Sequence, residues 1–76
     1  MELRLTYFRE PHGAPQMPIG GPFTGEFATV EEAQEEAIRM VPHHPAATRI
    51  EIDNIEGTVD VVLVLDGDHW ERAAIN

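Results

Sequence analysis

The chain contains no cysteine, no lysine and no serine. Without cysteine no disulfide can staple the fold, which excludes a cross-linked secreted scaffold. Without serine or cysteine, the commonest nucleophilic mechanisms have no residue to start from. Only five residues are basic, all of them arginine (Arg4, Arg9, Arg39, Arg49 and Arg72), against 14 acidic ones, so the formal net charge is -9. A field of that sign repels phosphates and anionic lipid heads. Direct binding to nucleic acid or to a membrane is therefore not expected, whereas a basic protein surface is a compatible partner. No run approaches the ~20 apolar residues of a membrane span. Met1-Glu2-Leu3-Arg4-Leu5 lacks the basic-then-apolar order of a signal peptide, so the cytoplasm is the expected location.

What is present is ordinary globular composition, 42% apolar and 25% charged over 76 residues, enough for a single domain spanning 1–76. At this size folding hides only roughly 60% of the unfolded surface, so the core is one thin layer.

Residues 2–9 alternate, with Leu3, Leu5 and Tyr7 on one side and Arg4, Thr6 and Phe8 on the other, which predicts a strand ended by Pro11. Residues 11–28 have no period. Pro11, Pro15, Pro18 and Pro22 alternate there with Gly13, Gly20, Gly21 and Gly25, and a long Pro/Gly-rich loop is expected. Met17, Ile19, Phe23 and Phe27 would anchor it to the body. Thr29 followed by Glu32 is a capping-box pattern. Val30, Ala33, Ala37, Met40 and Val41 then fall on one helical stripe, widened by Ile38. Glu35 and Arg39 are spaced as an i,i+4 pair, and Pro42 ends the helix.

Three further strands are predicted over 48–54, 58–65 and 68–73. Glu56-Gly57 marks one turn and Asp66-Gly67 the other. With Asp66-Gly67 as a two-residue loop, Leu63 is expected to oppose Trp70 and Val64 to oppose His69. Across the earlier turn Ile52 opposes Val61 and Asp53 opposes Asp60. Ile50, Ile52, Val61, Leu63 and Trp70 then share the face that receives the helix. The expected class is α+β, a single helix on one face of a small antiparallel sheet, in the order β-α-β-β-β. Strand 2–9 pairs on the edge of either 48–54 or 58–65.

On the other face Val62 and Val64 point outward, with Phe8 able to join them. Paired carboxylates such as Asp53 and Asp60 can do acid–base work in a pocket, but on an open sheet they only repel. His43 and His44 suit the negative end of the helix dipole; as metal ligands they need further partners. Asp66, Asp68, His69 and Glu71 crowd the last hairpin without the oxygens of a calcium loop. Glu31-Glu32-Ala33 opening the helix, followed by Arg49-Ile50-Glu51-Ile52, resembles a pattern in small bacterial and phage proteins and implies no activity.

The expected function is a non-catalytic protein-interaction module, not an enzyme, with no cofactor, metal or catalytic residue assigned. It would act as a homodimer, or as a phage-type inhibitor of a basic nucleic-acid-binding protein. The interaction residues are the acidic helix face (Glu31, Glu32, Glu35, Glu36), the outward valines Val62 and Val64, and Ile19 and Phe23 of the loop. The alternative is a small-ligand or metal-binding protein that uses residues 11–25 with His43 and His44.

Overall fold

The computed structural model describes residues 1–9 and 17–73. Strand β1 (Glu2–Phe8) is followed by β2 (Pro18–Glu26), helix α1 (Val30–Arg39), a short 3-10 turn (Val41–His43), and strands β3 (Arg49–Asp53), β4 (Asp60–Asp66) and β5 (His69–Arg72). The five strands form one antiparallel sheet in the order β2-β1-β3-β4-β5. The α+β class with a single helix is as the periodicities predict.

The helix begins where the capping pattern placed it. Thr29 is extended, and its hydroxyl accepts from the Glu32 amide at 3.1 Å. That satisfies one of the amides a helix start leaves bare. Ala33 and Ala37 are fully buried and let the helix sit close to the sheet. Its contacts fall on β1 and β3. Beneath it lie Leu3, Leu5, Tyr7, Ile50, Ile52 and Leu63, the buried side of the sheet. Arg39 pairs with Glu36, one turn back, and not with Glu35 as the spacing suggested.

The β3–β4 register matches expectation, with Ile52 opposite Val61 and Asp53 opposite Asp60. Asn54 pins the turn: its side-chain oxygen accepts from the Val59 amide at 3.0 Å and its amide donates to the Thr58 hydroxyl at 2.7 Å. Strand β1 pairs with the edge of β3. The last hairpin differs. Asp66 pairs with His69 and Leu65 with Trp70, so the two loop residues are Gly67 and Asp68. Only Gly67 has a positive φ, +67°, the pattern of a turn with glycine at its first central position. The register therefore moves by two residues and Leu63 meets Arg72. A slip of two preserves which face each side chain takes. Trp70 stays on the helix side, half-buried against the core.

The main correction concerns 11–28. Residues 18–26 are not loop but an edge strand against β1, while 10–16 lie outside the described residues. The five-strand order β-β-α-β-β-β replaces the four-strand one. An edge strand needs hydrogen bonds on one side only, so it tolerates proline. Register shifts beside Tyr7 accommodate the extra residues of β2 at Ile19 and at Gly21-Pro22. The bulged pairing hides the period of two by which strands are recognised.

Candidate functional site

A ten-residue helix is about 15 Å long and about 10 Å across. Five strands spaced about 4.8 Å apart make a sheet roughly 20 Å wide between its outer axes. The helix lies over the middle and cannot cover both sides. Beside β2 the shortfall becomes a cavity of about 260 Å³.

Leu5 and Tyr7 of β1 contribute to its walls, with Phe23, Thr24 and Gly25 of β2. Phe27 lines it from the β2–α1 connection, where its amide donates to the Met1 carbonyl at 2.9 Å. Glu36 and Met40 come from the end of the helix, and His44 from beyond the 3-10 turn. The His44 ring stacks on Tyr7 at 4.3 Å and 24°, and Phe23 lies tilted against it at 5.4 Å. The Tyr7 hydroxyl donates to the Ala37 carbonyl at 2.6 Å, one of the last helix oxygens without an intrahelical donor. Burial pushes the Tyr7 phenol above its ordinary 10.0, which keeps that donor protonated.

The glycines of β2 make this packing possible. A β-carbon on Gly20 would stand 2.6 Å from the His44 ring, and one on Gly25 would stand 2.9 Å from the Phe27 ring. Both contacts are closer than carbon atoms approach. At these positions glycine supplies space for two rings to lie on the strand. The same residues that obscured the strand in the sequence build its pocket.

The predicted site residues scatter. On β2 Phe23 is 46% exposed and Ile19 42%, and Met17 just ahead of the strand is exposed too. Glu36 reaches the cavity, while Glu31, Glu32 and Glu35 remain on the exposed helix surface. Glu31 accepts from Arg72 at 3.2 Å, and Gln34 from the same guanidinium at 2.6 Å, tying the helix to β5. Val62 is buried and Val64 half-buried, so Val62 offers no free docking surface. Around them Arg49 is fully buried, its guanidinium 4.1 Å above the Phe8 ring and 3.0 Å from the Glu51 carboxylate. Arg4 grips Asp53 through both carboxylate oxygens, at 2.9 and 3.1 Å, which offsets the repulsion from Asp60 opposite.

His43 and His44 do not converge on a metal position: His44 is packed on Tyr7 and His43 is exposed. Among the described residues the group with metal-like geometry is Asp66, His69 and Glu71, whose ligand atoms lie within 4.8 Å of one another. All three are exposed on the last hairpin. The Glu71 carboxylate, 2.9 Å from the ring, is the main reason the His69 pKa is raised. The cluster is accounted for as a local charge pairing between the His69 ring and the carboxylates around it.

The sequence singled out Phe23, His44 and Glu36 separately but gave no signal that they meet. Tyr7, Phe27 and Met40 were read only as core or anchoring residues. Comparison of the chain with protein-family models, with curated proteins and with solved structures finds no match.

Proposed function

We propose that this protein is a non-catalytic binding module that engages a protein partner along β2, with one partner side chain seated in the aromatic cavity. The observation that carries this reading is the placement of Phe23, which walls the cavity and is 46% exposed, with exposed Ile19 and Met17 farther along the same edge segment. Large apolar residues exposed along one edge suit an interaction surface, and a pocket walled by one of them is where binding energy can concentrate.

The size of the cavity favours a side chain over a cofactor or a drug-sized ligand. Such ligands occupy pockets of about 300–1,000 Å³. The cavity, at about 260 Å³, falls below that range. Strand addition is also disfavoured, because Pro18 and Pro22 remove two amide donors from β2. Side-chain insertion is the mode that remains.

The test is affinity capture from the native host with the intact chain and two surface variants. Phe23→Asp places a charge at the cavity wall. Ile55→Asp places one on a remote turn, at the most exposed large apolar residue. A specific partner retained by the Ile55 variant and lost by the Phe23 variant supports the reading. Equal capture by both overturns it. Sizing at micromolar concentration separates the homodimer version, which requires that the Phe23 variant alone revert to monomer.

A further inference from the structure

We infer that the side chain this cavity takes is arginine, presented by a basic segment of the partner. The inference rests on the partner-binding reading above and assigns the chemistry of the inserted group.

The cavity joins apolar and aromatic walls to one carboxylate. Phe23, Phe27 and the His44–Tyr7 stack contribute the rings, and Glu36 contributes the charge. A neutral apolar side chain would fill the same space but would take water from Glu36 and leave it only its exposed Arg39 partner, an unfavourable exchange. A guanidinium answers both halves of the site. Its planar face lies on aromatic rings, and its fork of donors matches a carboxylate. Lysine offers a compact, strongly hydrated charge with no flat face, and suits the site less well.

Charge points the same way. Arg4, Arg39, Arg49 and Arg72 already sit against Asp53, Glu36, Glu51 and Glu31. With 14 acidic residues against 5 basic ones, the surface field remains negative and draws cationic segments from a distance.

The molecule already contains such an arrangement on its opposite face. Arg49 is held there between the Phe8 ring, at 4.1 Å, and the Glu51 carboxylate, at 3.0 Å. Beside the cavity, rings and carboxylate are present, and the guanidinium on Glu36 is that of Arg39, which stays 72% exposed. With its guanidinium mostly in water the pair is held weakly, so an incoming arginine can displace Arg39.

The probe is a blocked Gly-Arg-Gly tripeptide, compared with its citrulline and norleucine counterparts, titrated at low salt into the isotopically labelled protein. Millimolar binding of the arginine peptide is expected, shifting the Phe23, Phe27 and His44 resonances. The citrulline peptide should bind about tenfold more weakly, and Glu36→Gln should cost the arginine peptide a similar factor. Arg39→Ala, which frees Glu36, should strengthen binding by about twofold. Thermal melts of both variants establish that they remain folded. Norleucine binding at the same residues as tightly as arginine, indifferent to Glu36→Gln, overturns the guanidinium assignment and leaves the cavity as an apolar anchor site. No shift at those residues with any peptide also overturns it. The partner-binding reading then stands or falls separately, on the Phe23→Asp capture.

Discussion

At the scale of single residues, the least expected feature is an arginine buried in the thin sheet. Arg49 is 0% exposed, yet strand alternation assigned it to the solvent face. Burying a guanidinium costs several kcal/mol unless partners compensate. Here Glu51 lies 3.0 Å away, an ion pair by proximity whose angle falls short of a hydrogen bond, and the Phe8 ring supplies a cation–π face. Arg49→Ala is expected to cost about 3–5 kcal/mol in urea denaturation, because it leaves the Glu51 carboxylate without its cation. Arg49→Met paired with Glu51→Gln should recover much of that loss, since packing over Phe8 is kept and the Glu51 charge is removed together with its cation. A single-variant cost under about 1 kcal/mol would show that the pair contributes little. His69 is the opposite case, a titratable group in open water. Glu71 chiefly, then Asp68 and Asp66, hold its pKa above the ordinary 6.5. A raised folded-state pKa means that its stabilising contribution is complete below 6.5 and is lost as pH rises through the higher folded-state value. NMR titration of the ring should give a midpoint above 6.5 that moves down in Glu71→Gln. An unchanged midpoint in that variant would rule out the carboxylate as the cause.

At the scale of elements, legibility followed periodicity. The helix was readable because Thr29, Glu32 and the Val30–Ala33–Ala37 stripe all speak for the same segment. Strands β1 and β3 were readable because Leu3-Leu5-Tyr7 and Ile50-Ile52 alternate cleanly, and β4 because Val61-Val62-Leu63-Val64-Leu65 is an unbroken apolar run between two turn signals. The β4–β5 register was misplaced by two residues, because Asp66-Gly67 and Gly67-Asp68 are both acceptable turn dipeptides and only cross-strand packing chooses between them. Putting Trp70 beside Leu65 brings Arg72 opposite Leu63, where it bonds Glu31 and Gln34 on the helix. No local pattern contains that choice. Strand β2 was unreadable for a different reason. Its helix-side positions are Gly20, Phe23 and Gly25, where two glycines replace the apolar residues a strand pattern requires. Their job is to leave room for two rings, one from Phe27 just past the strand and one from His44 beyond the helix. A site made of space has no hydrophobic signature, so the individual site residues were visible while their assembly was not.

At the scale of the whole molecule, one short helix and a wide sheet leave two unequal flanks. On the β5 side Arg72 bridges back to the helix and the edge strand is only four residues long, carrying His69, Glu71 and Arg72. Short, charged edges resist pairing with other chains. On the β2 side the flank stays open as the aromatic cavity, and its edge is interrupted by prolines. A domain this small has little stability to distribute, so local opening should follow this asymmetry. Amide exchange is expected to be slowest in β1 and β3, which are paired on both sides and lie under the helix. Amides of β2 should exchange faster while remaining measurably protected through β1. Binding at the cavity should slow β2 selectively, because an occupant clamps Phe23 against the end of the helix and leaves β5 untouched. Two results would break this account: β2 amides as slow as those of β3 in the free protein, which would make the flank rigid core, or no protection in β2 at all, which would remove the strand that walls the site.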